Sequence, residues 1–333
     1  MLTIDGSEGG GQILRTALGL SALTGKACTV KNIRLSRSNP GLQEQHLQGV
    51  LAMQKLCDAE LKGAVKHSTE ITFIPHTIKD GKLDVSISTA GSIGLVLQIL
   101  LLAATHANLT ITIKGGATYG KFAPPVDHFT NVFLPLLKRM GYDVSVRVIR
   151  HGFYPKGGAH VEVKTKKAAL KPLHILDKGK FVAIHGVSIA SKDLEKVDVA
   201  GRQAKEAKQL LFKHFPVPMT ISPSYVDTLN AGSGLQLTLE TEHSLFGGDA
   251  LGEKGKSAEM VAQEAVTSLL HSYEHGTVDI HTADMLLPYI ALCGGSYVAP
   301  EITPHVRTNI AVIEQFLGNR FTINGTTITA KGI

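Results

Sequence analysis

A pattern of strand, glycine-rich turn, helix and strand occurs twice in this chain. The first copy spans residues 2–33 and the second spans residues 83–114. A shift of 81 positions aligns Gly10 with Gly91, and the apolar positions follow in register. Self-similarity at a fixed spacing is typical of folds assembled from repeated units. The chain is therefore predicted to contain several α/β units, each of which packs its helices on a sheet.

A third region resembles these copies more weakly. It is predicted to begin with a strand near Val278 and to continue into a helix from Asp284 to Cys293. Residues 178–275, ahead of it, follow another pattern: a strand, a charged helix, two further strands, a loop that contains Gly247 and Gly248, and a second helix. We interpret this segment as a smaller α/β domain inserted between the second and third copies.

The chain length agrees with this division, because 333 residues exceed the usual size of one domain. We expect residues 1–177 and 276–333 to form the main domain and residues 178–275 to form the inserted one. With 43% hydrophobic residues, the chain has ample material for a buried core. The predicted fold class is α/β (α+β), with a main domain of repeated α/β units and a smaller inserted α/β domain.

Charge and cysteine content narrow the class of function. A formal net charge of +6 favours a polyanionic partner without identifying it. The cysteines (Cys28, Cys57 and Cys293) are widely spaced, which argues against disulfides or a zinc site and for a reducing cytoplasm. No signal peptide is apparent at the amino terminus. The longest apolar run, Ile93–Ala104, is too short to span a membrane and is expected to form a buried helix.

Three consecutive glycines, Gly9 to Gly11, stand between the first predicted strand and its helix. Such a turn lets a phosphate or a substrate come close to main-chain amides. The segment matches neither a dinucleotide-binding fingerprint nor a P-loop. Glu8 is a candidate ligand for a divalent metal, and Arg15, one turn into the helix, is a candidate ligand for an anion. The alternative is a turn that only packs helix on strand.

Further polar residues stand at turns or inside an apolar helix. Guanidinium groups bind phosphate bidentately, so Arg34 and Arg37 are candidates, with Arg15, for an oxyanion-binding cluster. Solvated surface arginines are the alternative. Gln98 lies in an otherwise apolar helix, where an amide needs a partner. It is either part of a core network or a reader of a base edge. The stiff loop from Tyr119 to Pro125 can form a wall against a planar ring.

The segment Thr303–Asn309 places a histidine next to the predicted start of a helix. Pro304 restricts the backbone, so His305 is expected at or just before the helix N-terminus. That position favours bound anions, and a neutral imidazole is a competent nucleophile near pH 7. Asp284, which follows His281, is expected to cap its own helix or to orient His305. The alternative is a surface histidine without a catalytic role.

Taken in order, these segments resemble the RNA 3′-terminal phosphate cyclase family over essentially the whole chain. The blocks that carry the resemblance are Glu8–Arg15, Ile33–Leu47, Ala90–Gln98, Ala123–Pro125, His151–Gly158, Ala283–Asp284 and His305–Ile310. Each block is weak alone, and their shared order makes chance similarity an inadequate explanation. One position departs from the expected pattern, since Ser7 stands where glycine is expected before Glu8.

The resemblance implies a fold and a reaction. The fold is a catalytic domain of repeated α/β units related to the enolpyruvyl transferases, interrupted by a smaller α/β domain. The reaction uses ATP and a divalent metal (Mg or Mn) to convert an RNA 3′-phosphate end into a 2′,3′-cyclic phosphodiester, with release of AMP and pyrophosphate. Its intermediates are a covalent histidine–AMP and an RNA-adenylate. Because a 2′-hydroxyl closes the ring, the chemistry itself selects RNA.

The resemblance also implies roles for individual residues. His305 matches the histidine that is adenylylated. The residues that match the other catalytic positions are Glu8, Arg15, Arg34 and Arg37, and Glu8 is also the implied metal ligand. The residues that match ATP-binding positions are Gln45, Gln98, Pro125, His281, Thr282, Ala283 and Asp284.

Three other interpretations stay open at this point. A cyclase-like ribosome-assembly protein keeps the fold but lacks the nucleophile, which the presence of His305, Arg34 and Arg37 disfavours. An enolpyruvyl-class metabolic transferase would bind a small anionic acid, and a plain RNA-binding module would not need His305. The sequence does not reveal the oligomeric state or the physiological RNAs. An RNA contact by the inserted domain rests only on Lys205, Lys208 and Lys213.

Overall fold

The first of four sheets is formed by the amino-terminal unit. The computed structural model describes residues 1–333, and every sheet in it has four strands. The elements of this unit are β1 (Leu2–Asp5), α1 (Gly11–Thr24), β2 (Cys28–Lys31), α2 (Glu44–Cys57), β3 (Glu60–Lys62) and β4 (Ile71–Ile74). The strand order is β1-β2-β4-β3, in which β1 and β2 are parallel and the other pairs are antiparallel.

The second unit repeats this topology. Its elements are β5 (Gly81–Ser92), α3 (Ile93–Ala103), β6 (Leu109–Ala117), α4 (Val126–His128), α5 (Leu134–Arg139), β7 (Val144–Arg150) and β8 (His160–Thr165). A π-helical turn, Phe129–Phe133, joins α4 to α5. The strand order β5-β6-β8-β7 again places one parallel pair beside two antiparallel pairs. The predicted repeat of α/β units is confirmed.

The third unit begins with β9 (Leu173–Ile175) and is then interrupted. The elements of the interrupting segment are β10 (Phe181–Ser191), α6 (Val199–Phe212), β11 (Thr220–Val226), β12 (Ser233–Thr241), β13 (Leu245–Leu251) and α7 (Ala258–His275). They form a separate sheet in the order β11-β10-β12-β13. The insertion therefore lies inside the third unit, and the prediction that it stands between the second and third copies is wrong.

After the insertion the third unit is completed. The remaining elements are α8 (Ile280–Met285), α9 (Leu287–Cys293), β14 (Gly295–Val298), α10 (Pro304–Leu317), β15 (Phe321–Asn324) and β16 (Thr327–Ala330). The order β9-β14-β16-β15 matches the first two units. The strand predicted near Val278 is absent, because Asp279 caps α8 there and its Oδ1 accepts a hydrogen bond from the Thr282 N–H at 2.8 Å.

The three units share one hydrophobic core of 64 buried residues. The inserted segment has its own core of 15 residues, all between Ile184 and Leu269. A small cluster of Tyr119, Phe153 and Ile189 lies between the two cores. Two cores are what an inserted domain requires. The exact boundaries, 178 and 275, stay a prediction.

The most apolar segment forms α3, as expected, and nine of its residues are buried. It contacts α1 and α2, so helices of neighbouring units pack on one another. No helix of the protein combines the length and the apolar character that crossing a bilayer would need.

The loop predicted around Gly247 and Gly248 is wrong, because both residues belong to β13. A Cβ on Gly248 would lie 2.4 Å from the carbonyl oxygen of Ala265 in α7, and one on Gly247 would lie 2.4 Å from the His128 ring. These glycines therefore permit close approach of a helix and of a histidine to the strand, a use that sequence alone does not distinguish from a turn.

Candidate active site

A cleft of about 410 Å³ lies where the three units meet. Its wall is formed by the glycine-rich turn after β1, by α3, by residues 122–124, by α8 and by the start of α10. The predicted site residues on this wall are Glu8, Arg15, Arg37, Gln98, His281, Asp284 and His305. The fold thus brings together side chains from both ends of the chain.

His305 lies in the first turn of α10, where its position was expected. The helix begins at Pro304, and the Thr303 hydroxyl caps it by accepting a hydrogen bond from the Val306 N–H at 3.1 Å. Proline suits the first helical position because no N–H is needed there. The His305 side chain is 48% exposed and faces the cleft. Free amides of this first turn favour negative charge beside the imidazole.

Asp284, at the end of α8, orients the His305 ring. Its Oδ2 lies 3.3 Å from Nδ1 of His305, and its side chain is only 18% exposed. An imidazole that donates from Nδ1 to a carboxylate keeps the lone pair of Nε2 available. Of the two expectations for Asp284, the contact with His305 is therefore the one observed, while Asp279 caps the helix.

Arg15 and Arg37 approach the glycine-rich turn from two sides. A Cβ on Gly11 would lie 2.8 Å from Nη1 of Arg15, and one on Gly10 would lie 3.2 Å from Nη2 of Arg37. The glycines thus make room for both guanidinium groups. Burial lowers the pKa of Arg15 to about 10 despite the opposing charge of Asp284, so Arg15 is cationic at neutral pH. Two guanidinium groups next to the glycine-rich turn form a strong anion-binding surface.

Arg34 and Gln45 do not line the cleft. Nη1 of Arg34 donates to the carbonyl oxygens of Asn39 and Gly41 at 2.7 and 3.0 Å, which closes the turn that carries Arg37. The side-chain oxygen of Gln45 accepts a hydrogen bond from the Ser92 N–H at 2.8 Å. Both residues therefore position neighbouring backbone, and a direct contact of either with substrate stays a prediction.

Three further residues implied by the resemblance lie beneath the wall. Pro125 is buried next to Pro124, and it is Pro124 that lines the cleft. Thr282 and Ala283 are also buried, since they are on the inner face of α8 while His281 and Asp284 face the cleft. Pro125, Thr282 and Ala283 can support a nucleotide site only through these neighbours.

Two residues at the site were missed by the sequence analysis. Gln12 accepts a hydrogen bond from the Gly10 N–H at 2.9 Å and donates to the Thr308 hydroxyl at 3.2 Å, which ties the glycine-rich turn to α10. His46 is buried against Gly11, and burial together with the charges of Arg15 and Arg34 lowers its pKa to about 3. Gln12 could have been identified from the sequence, because it is a polar residue directly after the three glycines. No sequence feature pointed to His46.

A buried ionic network lies below the cleft and joins α8 to the inserted segment. Asp279 is fully buried and lies 3.1 Å from Nε2 of His128, and it also accepts a hydrogen bond from the Gly247 N–H of β13 at 2.9 Å. His281 lies 3.4 Å from Oδ1 of Asp249, another residue of β13. Movement of the insert relative to α8 would break these contacts.

The protonation of His281 gives a testable pH dependence. Burial by itself lowers the pKa of His281, but the hydrogen bond and charge of Asp249 and the nearby Asp279 outweigh it and raise the pKa to about 9. Protonated His281 therefore stabilises the folded state fully below about pH 6.5, the pKa of histidine in the unfolded chain. This contribution is lost as the pH rises towards 9. We expect the difference in unfolding free energy between wild type and His281→Gln to shrink from pH 6 to pH 9.5 in urea titrations. A constant difference would contradict this assignment.

Comparison with known proteins shows which family this chain belongs to. The sequence profile described as "RNA 3'-terminal phosphate cyclase" matches residues 6–323. The chain belongs to the RNA 3′-terminal phosphate cyclase family. A relative with that name from Pyrococcus abyssi is 43% identical over 98% of this chain and 96% of its own length. Relatives of the same name from Pyrococcus furiosus and Saccharolobus islandicus are 43% and 39% identical, over 98% of this chain and 96–97% of theirs.

Glu8, the metal ligand that the resemblance implies, lies in the cleft. No three His, Cys, Asp or Glu side chains are grouped as they would be around a metal held by protein alone. Glu8 is exposed on the cleft wall. Mg²⁺ is commonly held by one or two carboxylates together with substrate phosphates, and Glu8 fits that arrangement.

Proposed function

We propose that this protein, acting in the cytoplasm, uses ATP to convert an RNA 3′-phosphate end into a 2′,3′-cyclic phosphodiester. The proposed route passes through a covalent AMP on His305 and an RNA-adenylate, and it releases pyrophosphate and AMP. The observation that carries the proposal is the position of His305, held by Asp284 and facing Arg15, Arg37 and the glycine-rich turn in one cleft. Family membership supports the same reaction.

The first step requires a nucleophilic nitrogen beside a phosphate site. Nδ1 of His305 faces Asp284, so Nε2 is the nitrogen that attacks the α-phosphorus of ATP. A P–N bond forms, the bond to the β-phosphate oxygen breaks, and pyrophosphate leaves. The ring then carries a positive charge, which the Asp284 carboxylate stabilises at Nδ1–H. Splitting a difficult transfer into two displacements is the usual advantage of a covalent intermediate.

The cleft supplies positive charge for both displacements. Arg15, Arg37 and the first turn of α10 can stabilise negative charge on the transferred group, which is the main requirement of phosphoryl transfer. Mg²⁺ or Mn²⁺ held by Glu8 would neutralise charge on the triphosphate. The glycine-rich turn and α10 are held together before substrate binds, because Gln12 is hydrogen-bonded to both.

Apolar side chains and one amide fit the nucleoside part of ATP. Leu95, Pro124, Ile280 and Met285 line the cleft together with Gln98. A planar base packs well between apolar groups, and a side-chain amide can read its edge. Gln98 is partly exposed to the cleft, which favours base recognition over the core network that the sequence also allowed.

The reaction can be tested with two RNA ends. An oligonucleotide with a 3′-phosphate on a terminal ribose should become phosphatase-resistant only with ATP and a divalent metal. With 2′-deoxyribose at the terminal position, ring closure is blocked, and the RNA-adenylate should accumulate instead. Chromatography of labelled oligonucleotides separates these species. Phosphatase resistance without ATP, or the absence of an adenylated product from the 2′-deoxy end, would refute the proposal.

A further inference from the structure

A second cleft, of about 730 Å³, lies between the second sheet and the inserted segment. The sheet contributes Lys114 of β6, Arg150 of β7 and His160 of β8, and the inserted segment contributes Lys192 and Tyr225. We call this space, defined by these five residues, the basic cleft. None of the five lines the candidate active site.

Three of these side chains form a row across the sheet. Lys114 is paired in register with His160, His160 is paired with Arg150 just after a register shift in β7, and all three line the cleft. Residues paired in register project from the same face, with Cβ atoms about 5 Å apart. Lys114 and Arg150 flank His160 and so place two positive charges about 10 Å apart, two strand spacings, along one wall of the cleft. An anion bound between them can interact with both.

The carboxylate that lines this cleft, Asp227, is engaged by Lys192 and not by the row on the sheet. No carboxylate lies within ion-pair distance of Lys114 or Arg150. Arg150 uses only Nε, which donates to the Gly158 carbonyl oxygen at 2.6 Å. Nε2 of His160 is buried in the structure without a hydrogen-bond partner. Only Lys192 is paired, with Asp227 at 2.8 Å. The cleft therefore offers unused donors and unpaired positive charge.

We propose that the basic cleft binds the phosphodiester backbone of the RNA substrate, upstream of its reacting 3′ end. The inference rests on the proposed function, because it takes RNA as the substrate. Phosphates are the groups that Lys and Arg side chains bind in sequence-independent contacts with nucleic acid. The exposed lysines Lys205 and Lys208 of α6, considered from sequence, line neither cleft.

The basic cleft is connected to the candidate active site through one short stretch of chain. Strand β6 runs from Lys114 towards the loop whose Phe122 lines the active-site wall, and eight residues span at most about 28 Å. The Thr118 hydroxyl on this stretch lies 3.1 Å from Nδ1 of His151, which also lines the basic cleft.

Phe122 is placed to contact a base between the two sites. It is fully exposed and has a φ of 59°, a conformation that is unfavourable for a bulky residue. Stacking on exposed aromatic rings is a general mode of single-strand recognition. We therefore place the terminal nucleotide in the active-site cleft, the preceding base against Phe122 and the upstream phosphates in the basic cleft.

Paired charge-removing variants test this placement. We compare Lys114→Gln/Arg150→Gln with Lys82→Gln/Lys164→Gln. The second pair removes two charges from another row of the same sheet, in which both residues flank Thr110. Fluorescence anisotropy then measures the affinity for a 12-nucleotide RNA 3′-phosphate and for a dinucleotide 3′-phosphate. The affinity of each protein for inorganic phosphate is measured as well, by titration.

We expect the first pair of substitutions to weaken binding of the 12-nucleotide RNA about tenfold at 50 mM salt. The slope of log affinity against log salt should fall by about 1.4, for two lost contacts with a single strand. Affinity for the dinucleotide, and the binding of both RNAs by the control pair, should change less than twofold.

Three results would overturn the proposal. They are equal losses for both RNAs, equal losses for both pairs of variants, and loss of inorganic phosphate binding with unchanged RNA affinity. The last result would assign the cleft to a free anion. These are binding measurements, so they do not depend on adenylate formation. If His305 acquires no AMP, the proposed function fails, and the RNA path is still judged by its own data.

Discussion

Replacing His305 with alanine is expected to abolish transfer of AMP from ATP to the protein. The substitution removes the histidine that shares the cleft with Arg15 and Arg37 and whose Nδ1 lies against Asp284, which leaves Nε2 for attack. Loss of a covalent nucleophile typically lowers the rate by a factor of about 10³ or more. The measurement is incubation with ATP labelled at the α-phosphate, followed by denaturing gel electrophoresis and an acid-lability test of the bound label.

A matched histidine variant controls for general effects. His271 is exposed on α7 and lines neither cleft, so His271→Ala should acquire label like the wild type. RNA binding by His305→Ala should also be retained, because the ring is not part of the basic cleft. Undiminished labelling of His305→Ala would rule out this residue as the adenylate carrier. Loss of label in both variants would point to a folding defect instead.

The repeated fold was predictable only where each unit is continuous in sequence. The first two units place strand, turn, helix and strand within about thirty residues, so a sliding comparison detects them. In the third unit, the insertion separates β9 from α8, which removes the first strand from the local pattern. The alternation around Asp279 then suggested a strand where a helix cap is found. Identical strand orders, which only the tertiary structure displays, establish the third copy.

The candidate site was also predictable only in part, where its residues stand out in the local sequence. Side chains that must face a ligand stand at turns and helix starts, where Glu8, Arg37 and His305 are conspicuous in sequence. Arg34 has the same local appearance as Arg37, yet its guanidinium is used by two carbonyl oxygens of its own turn. The sequence cannot separate these two arginines because both precede the same turn. His46 belongs to the surroundings of the site only through its proximity to Gly11 and Arg15, which no local pattern encodes.

Removal of the Asp279 carboxylate is expected to cause the largest loss of stability. Asp279 and His128 are both fully buried, and the carboxylate also accepts hydrogen bonds from Gly247 and from the N–H and hydroxyl of Thr282. Asp279→Ala leaves these donors without an acceptor and isolates a histidine whose Nδ1 already lacks a partner. Breaking a buried pair in this way typically costs about 3–5 kcal/mol. Urea unfolding at pH 7 measures the loss.

An exposed ion pair provides the control. Asp227 contacts Lys192 at 2.8 Å on the surface, and Asp227→Ala should leave the unfolding free energy essentially unchanged, because solvent screens such pairs. Equal effects of the two substitutions would show that burial does not set the contribution of Asp279. A loss of unfolding free energy in Asp279→Ala alone would instead establish that this buried carboxylate stabilises the contact between the insert and α8.

The pH dependence separates the charge of Asp279 from its packing. Burial raises the pKa of Asp279, but the charge and hydrogen bond of His128, the charge of His281 and the Thr282 N–H outweigh it and hold the pKa well below its usual range. A depressed folded-state pKa contributes stability above about pH 4, and this contribution is lost as pH falls further. The difference in unfolding free energy between wild type and Asp279→Ala should therefore be constant from pH 5 to 6 and become smaller below pH 4. A deficit that persists unchanged at pH 3 would assign it to the cavity and not to the ionic network.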